Sequence, residues 1–403
     1  MPVYVWEGKT LQGVKKKGEM EAPDELSIRN YLRQQRIIPS KIKKKAKEIE
    51  ISIPFLKRKT SKKTIAIFTR ELSTMINAGL PLIQALEILQ NQQEDKNFRE
   101  VIKKIKEDVE GGSTFAGALK KHPNEFDELF VNLIIAGEEG GLLDTILNRL
   151  ATYIEKVEAL KKKIKSALVY PAIIVSVAVI VVAVLMIFVI PVFDEMFREA
   201  GQELPAFTKL VVNLSKFFKG NILFIGIVLI IIVILFRRFY KTEKGRMMID
   251  SLLLKLPVFG ILFKKVAVAR FTRTLGTLIS SGVPILDGLN IVAKTAGNKT
   301  IETAIINARS NIAEGQTIAD PLERSGVFPL MVTQMIAVGE STGALDAMLQ
   351  KIADFYEEEV DVAVGTLTSL LEPFLMVFLG VVVGGIVVAM YLPIFKMAGA
   401  VGG

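Results

Sequence analysis

The sequence has no cysteine and a single histidine among 403 residues. The first absence excludes a disulfide framework, a thiolate nucleophile and any cysteine-ligated metal, and it leaves the redox compartment open. The second leaves His122, beside Pro123 in a loop-like stretch, without the partners that a Ser-His-Asp relay or a zinc site requires. A surface loop histidine is the simpler reading. A phosphate-binding loop is also missing: Gly8-Lys9-Thr10 comes nearest to G-x-x-x-x-G-K-S/T, and the leading glycine would fall on Val3. Charge is absent from the centre of every long apolar run, where a permease usually keeps the groups that pass ions or substrate. Neither an enzyme nor a cofactor or metal site is expected. A chain without an ATPase site of its own points to an external motor.

What the sequence has in excess is apolar side chains, 50% of the total, more than an ordinary soluble protein carries. The excess sits in three runs. Residues 166–193 are uncharged for 28 positions and residues 373–395 for 23, and both exceed the roughly 20 needed to cross the hydrocarbon core. Residues 220–236 are uncharged for only 17, about 25 Å of helix, which Phe217 and Phe218 can extend at the interface.

Cations at the flanks set the orientation, because translocated segments tend to lack them. Lys161, Lys162, Lys163 and Lys165 precede the first run, and Arg237, Arg238, Lys241 and Lys244 follow the second. Those two ends face the cytoplasm. The stretch from Pro191 to Lys219 balances four acids with four bases, and the tail after the third run holds only Lys396. Nothing in residues 1–70 resembles a secretory signal. The expected topology places the amino terminus inside and the carboxyl terminus outside.

One unit occurs twice. FTRELSTMINAGLPLIQALEIL at residues 68–89 matches FTRTLGTLISSGVPILDGLNIV at residues 271–292, with ten of 22 positions identical at an offset of 203. The echo returns at an offset of 202, where Gly137, Glu138, Gly141, Leu143, Asp144 and Leu147 meet Gly339, Glu340, Gly343, Leu345, Asp346 and Leu349. Each copy then runs into an apolar span, through Tyr170-Pro171 in the first and Glu372-Pro373 in the second. If each copy ends in an outward helix, the second can return to the first one's compartment only through one further span. The short middle run supplies it.

Apolar positions within both copies recur at helical spacing. A helix should stop at Asn77-Ala78-Gly79 or Ser280-Ser281-Gly282 and a new one start at Pro81 or Pro284, since glycine suits a left-handed cap and proline the first helical turn. The Gly137 and Gly339 stretches mark a second bend. From Leu143 onward Leu147, Leu150, Ile154, Val157, Ile164 and Leu168 form one seam, which predicts a long helix that leaves the bundle and becomes the first span.

Residues 1–60 form a separate module. Val3, Val5 and Leu11 with Gly8, Gly13 and Gly18 predict a hairpin, and residues 24–36 a short helix. The module carries 15 Lys and Arg against 7 Asp and Glu, whereas residues 61–166 balance at 16 against 16 and residues 237–369 stand at 15 against 14. The runs Lys41–Lys47 and Lys57–Lys63, the latter after Ile51, Ile53, Phe55 and Leu56, suit either anionic lipid or an acidic partner, or else a solvated linker. No nucleic-acid partner is expected, because no aromatic-interleaved or helix-turn-helix pattern accompanies the charge.

The expected architecture is an all-α membrane protein: a basic module and linker (1–60), a first helical bundle (61–166), a transmembrane helix (167–190), a loop (191–219), a second transmembrane helix (220–236), a second bundle (237–369), a third transmembrane helix (370–395) and a tail (396–403). The residues left to explain are the duplicated polar ones, Arg70 and Arg273, Glu138 and Glu340, Asp144 and Asp346. They serve either as ion pairs and caps at helix bends or as contacts for a partner. Pro171 and Pro373 are most simply kinks, and Tyr170 and Glu372 beside them could also touch a neighbouring transmembrane helix.

Twin helical copies, the Gly-x-Pro bend, the Gly-Glu-x-x-Gly bend followed by Leu-Asp, and the Tyr-Pro and Glu-Pro thresholds resemble the type II secretion system F family, which includes the inner-membrane platform proteins of type IV pilus assembly. Tyr4-Val5-Trp6-Glu7-Gly8, Gly13, Gly18, Ala22 and Ile38-Pro39 are similar to that family's leading module. The resemblance covers nearly the whole chain, and the order and double occurrence of its motifs are what make it specific. It implies two cytoplasmic six-helix bundles, three spans of the bacterial inner membrane, a periplasmic loop and tail, and a homo-oligomer. It also implies partners: a hexameric cytoplasmic extension or retraction ATPase, pilin or pseudopilin transmembrane helices, and inner-membrane alignment proteins. The family's Gly-Glu and threshold positions carry over to Gly137, Glu138, Gly339, Glu340, Tyr170, Pro171, Glu372 and Pro373. Ser341-Thr342 against Glu139-Gly140 shows that the two bends have diverged. Pilus assembly, type II secretion and DNA uptake all remain open, with a permease subunit as the rival from another class.

Overall fold

The computed structural model describes residues 3–10, 15–22, 24–35, 37–44, 60–199, 204–257 and 259–401. The chain divides into two compact units, residues 1–58 and residues 59–403.

The first unit holds β1 (Val3–Thr10), β2 (Lys15–Glu21), α1 (Glu25–Gln34) and β3 (Ile37–Lys44). Its antiparallel sheet has the order β2-β1-β3. The hairpin and helix follow the sequence pattern, with Asp24 accepting a 2.8 Å hydrogen bond from the Ser27 amide at the head of α1. The third strand goes beyond that pattern. Its Pro39 cannot donate to a ladder, and the sheet accommodates it beside Gly8, where the register shifts by a bulge. Ala22, Ile28, Leu32 and Ile37 form the core, with Tyr4 and Trp6 packed on it. A Cβ on Gly18 would lie 2.8 Å from the Trp6 ring, so only glycine fits under that indole. Leu11, Gly13 and the runs at 45–47 and 51–59 lie outside the described residues.

In the second unit the first copy is α2 (Lys62–Asn77), α3 (Leu82–Gln92), α4 (Lys96–Glu110), α5 (Phe115–Lys120), α6 (Glu128–Gly140) and α7 (Leu143–Ala167). The membrane segment continues as α8 (Val169–Val184), a π-helical turn at Leu185–Val189, α9 (Ile190–Glu199) and α10 (Ala206–Tyr240). Then come α11 (Glu243–Lys255) and the second copy: α12 (Phe259–Ser280), α13 (Ile285–Thr295), α14 (Lys299–Ala313), α15 (Ala319–Arg324), α16 (Leu330–Thr342) and α17 (Leu345–Val401). Helices α12 to α17 repeat α2 to α7 one for one. The fold is thus helical with a duplicated bundle, and its described strands are confined to the first module.

The predicted bends are where the sequence puts them. Gly79 and Gly282 end their helices at φ +83°, and Gly141 and Gly343 at +65° and +72°. These are left-handed conformations that glycine adopts without strain. Gly137 and Gly339 serve a second purpose, because a Cβ at either would come within 3.0 Å of Ile146 or of Leu345 and Met348. Each lets one helix close onto the next.

Three helical stretches are long and apolar enough to cross a membrane: residues 143–197, 206–240 and 345–395. The first is nearly continuous from bundle to span, as predicted. Between bundle and span it loses α-helical geometry at Leu168, one residue past Ala167, whose carbonyl would in a regular helix accept from the N–H that Pro171 lacks. The stretch 191–219, read from the sequence as a loop, is largely helical, because α9 prolongs the first span and α10 begins at Ala206. The continuation through Pro191 has a local cause. In the π turn the Met186 carbonyl would accept from residue 191, proline has no N–H to give, and the Ser215 hydroxyl donates to that carbonyl instead. Residues 206–220 then pack between the first and third spans through Val211, Val212, Ile386 and Ala389, with the Thr208 hydroxyl 2.7 Å from the Ala389 carbonyl. The backbone leaves helical geometry at Asn221 (φ −118°, ψ 19°), which separates this packed segment from the expected second span.

Candidate functional site

The duplicated glutamates tie each bundle's short helix to its bend. Glu138, near the end of α6, accepts from the Phe115 amide at 2.6 Å and the Ala116 amide at 2.9 Å, at the head of α5. Glu340, near the end of α16, accepts from the Ile318 amide at the head of α15 with both carboxylate oxygens, at 3.0 and 2.9 Å. A carboxylate at a helix N-terminus fills orphan donors and meets the positive end of the helix dipole. Asp144 and Asp346 lie in the first turns of α7 and α17, so each bend carries anionic charge on both of its helices.

The duplicated arginines join the first helix of each bundle to the last. Arg70 on α2 donates Nε and Nη2 to Glu155 at 2.7 and 2.6 Å, Nη1 to Asn148 at 2.7 Å and Nη2 to Thr152 at 3.1 Å. Hydrogen bonding to Arg70 holds the Glu155 carboxyl below its ordinary range. Arg273 on α12 donates Nε to Glu357 at 2.7 Å and Nη2 to Asp354. Burial would raise the Asp354 pKa, but hydrogen bonds from Arg273 and Lys156 outweigh it, so the net shift is downward. The partners sit at i, i+4 and i+7 on α7 and at i and i+3 on α17, so one helix face presents each set.

Lys156 belongs to the first bundle and its partners to the second: its Nζ lies 2.9 Å from Asp354 and 3.5 Å from Glu357. It is one of several ties across the two copies. Lys163 pairs with Asp361, Lys294 with Glu128 at 2.7 Å, the Arg149 guanidinium donates to the Ser280 carbonyl, and the Tyr153 hydroxyl meets Thr274 Oγ1 at 3.1 Å. Burial pushes the Tyr153 hydroxyl pKa up. Along the seam runs an open polar cleft of about 310 Å³ lined by Thr152, Lys156, Arg273, Thr277 and Asp354. Towards the membrane it becomes an apolar neck, where Leu262, Val360, Val364 and Leu367 pack against Leu160 and Ile164.

At the thresholds Pro171 is buried, whereas Tyr170, Glu372 and Pro373 are exposed. The second span is anchored differently. The buried Asp250 on α11 accepts from the Tyr240 hydroxyl at 3.0 Å and from the Lys299 amide at 2.7 Å, linking the end of α10 to the head of α14. Sequence reasoning misses both Asp250 and Lys156. For Asp250 the repeat gives no signal, because α11 has no counterpart among the described residues of the first copy. Lys156 does leave one, since Asn148, Thr152 and Glu155 align with Gln350, Asp354 and Glu357 at the offset of 202. The added acid at 354 calls for a further cation.

Among the described residues no cluster of His, Cys, Asp and Glu could hold a metal ion. His122 stands alone in the turn before α6, and its half-burial lowers its pKa. What the arrangement offers is mechanical: two bundles joined by ion pairs and two helices that carry their last members into membrane spans.

Comparison with known proteins places this geometry. Residues 68–191 and 271–393 both match the family described as Type II secretion system (T2SS), protein F, and residues 1–43 match the Type II secretion system protein F, N-terminal domain. The chain is 53% identical over 399 residues, 99% of its length and 95% of the relative's, to the Type IV pilus assembly protein PilC of Myxococcus xanthus. It is 44% identical to the protein of that name from Thermus thermophilus, over 99% of both chains. To the Type II secretion system protein F of Xanthomonas campestris it is 33% identical over the full length of both.

Proposed function

The chain belongs to the type II secretion system protein F family, and from that premise we propose that it is the inner-membrane platform of a type IV pilus assembly machine. In this reading both bundles and the amino-terminal module face the cytoplasm and the carboxyl terminus faces the periplasm. A cytoplasmic hexameric ATPase moves the bundles, and that movement inserts pilin subunits, held by their transmembrane helices, into the fibre. Inner-membrane alignment proteins and further copies of the chain complete the base. No step of covalent chemistry belongs to the protein itself.

The observation that carries the proposal is the nearly continuous helical path. The last helix of each bundle, α7 or α17, runs on into a membrane span, so a rotation or shift applied to a bundle reaches the bilayer without crossing a flexible joint. The pilus reading ranks above secretion because identity to the pilus-assembly relatives reaches 53%, against 33% for the secretion relative. Deletion of the gene in its own host, with the other assembly components still expressed, should abolish surface pili. Normal piliation would refute the assignment, and loss of enzyme secretion alone would move it to the second system. Photo-crosslinkers placed singly in α4 and in α14 should each be tested for capture of the ATPase, and no capture from either bundle would sink the coupling. A reporter inserted within residues 290–330 should remain on the cytoplasmic side.

A further inference from the structure

Between the last turns of α7, the end of α10, α11 and α12 lies a groove of about 510 Å³ whose wall combines cationic and apolar surface. Lys165 and Arg270 supply the charge, and Leu168, Leu253, Phe263 and Val266 the apolar area. The other charges in the wall are already engaged. Asp250 is held by the Tyr240 hydroxyl and the Lys299 amide, and Lys161 pairs with Glu158 at 3.3 Å. Among the described residues Lys165 and Arg270 have no carboxylate partner, and the Arg270 Nε is buried without any acceptor. A buried donor without an acceptor costs free energy, so the site is incomplete as the protein alone forms it.

Position identifies what completes it. Leu168 immediately precedes the first span and Tyr240 ends the second, so the groove opens at the height where two helices leave the bilayer. Beside it, α11 and the start of α12 turn Met248, Leu252, Leu256, Phe259 and Ile261 outward, with Met248 68% exposed and Leu252 59% exposed. Apolar side chains lined up beside cations at a membrane boundary are the mark of an interfacial helix. A basic pocket between spans at that level fits a phosphate headgroup. A free phosphate would use the two cations and leave the apolar wall bare, whereas a phospholipid uses both.

We propose that this groove binds one anionic phospholipid from the leaflet on the bundle side, with its phosphate on Lys165 and Arg270 and its acyl chains along Leu168, Phe263 and the outer face of α11. Among the described residues the site lies beside the second bundle, where α11 forms one of its walls. It stands independently of the pilus assignment.

Native mass spectrometry of the full-length chain, purified in mild detergent and stripped of lipid, tests the idea with phosphatidylglycerol, phosphatidylcholine and inorganic phosphate as separate probes. One phosphatidylglycerol should be retained in preference to phosphatidylcholine. Lys165→Gln, an exposed change that leaves the fold intact, should weaken that retention about fivefold. Arg270→Gln should weaken it at least as much, and Lys120→Gln, exposed at the end of α5 and outside the groove wall, should leave it unchanged. Equal retention of the two lipids, wild-type binding by Lys165→Gln, or displacement of phosphatidylglycerol by equimolar inorganic phosphate would each overturn the proposal.

Discussion

The two bundles solve one structural problem with different charges. In the first, Arg70 meets one carboxylate, one amide and one hydroxyl, all on α7. In the second, the residue matching Thr152 is Asp354, so Arg273 meets two carboxylates and shares both with Lys156 of the first bundle. Duplication kept the helices, the bends and the arginine. A single hydroxyl-to-carboxylate difference turned an internal tie into a joint between copies. Under the proposed platform function, such a joint would carry force applied to one bundle into the other.

The largest effect should come from the glutamates at the bends, and there the copies also differ. Glu138 fills two amide donors, Glu340 one. A hydrogen bond to a charged group contributes about 1.5–3 kcal/mol, and its loss leaves a half-buried donor unpaired. Glu138→Ala should therefore cost about 3 kcal/mol or more, and Glu340→Ala about 2. Thermal unfolding of the detergent-solubilised chain, followed by intrinsic fluorescence, would order the two variants. A larger drop for Glu340→Ala would mean that the bends are not equivalent in the way their geometry implies.

The arginines come next. The Arg273 side chain is 11% exposed and that of Arg70 36%. Removing a cation from a largely buried pair strands its carboxylates, whereas an exposed pair contributes little. Arg273→Ala should cost about 2 kcal/mol and Arg70→Ala under about 1. Arg273→Lys should recover only part of the loss, because an ammonium cannot present two donors to two carboxylates in one plane. Equal costs at the two positions would break the claim that burial and the second carboxylate distinguish them.

Much of this frame is legible in the order of the residues. Glycine and proline punctuate the helices by backbone conformation alone, uncharged runs report bilayer crossings, and a repeat offset reports duplication; all are local or periodic signals. The π turn at Leu185–Val189 is not legible, since its stability depends on Ser215 reaching a carbonyl 29 residues away. The helical character of 206–220 is hidden for a related reason: its apolar face, Val211 and Val212, has meaning only against the third span. The glutamates stand out as a pair, but their partners do not, because Phe115 and Ile318 donate through backbone amides that leave no mark in residue type. The ties across the seam leave only the extra acid at 354 as a trace, and it does not name Lys156, which lies 198 residues away.

The smallest effect would sharpen the comparison most, because it isolates the joint. The Asp354 pKa is lowered in the fold, so its contribution is complete above the ordinary carboxylate value of about 4 and fades as pH falls through the lowered one. Half of the Asp354 side chain is exposed, which limits the gain to under about 1 kcal/mol and makes it sensitive to salt. Wild type should accordingly lose more stability than Asp354→Asn between about pH 4 and pH 2, and added sodium chloride should shrink the gap. Glu155 shifts in the same direction and stays within its own bundle, so acid should weaken both bundles internally, and protonation of Asp354 should loosen the seam as well. A crosslink between positions 152 and 350, which line the same cleft and leave Lys156 intact, separates these effects when measured at neutral and at low pH. Undiminished proximity after Asp354→Asn would show that the remaining ties, Lys156 to Glu357, Lys163, Lys294, Arg149, Tyr153 and the apolar neck, suffice to hold the copies together, and that the charge gained at 354 serves the second bundle alone.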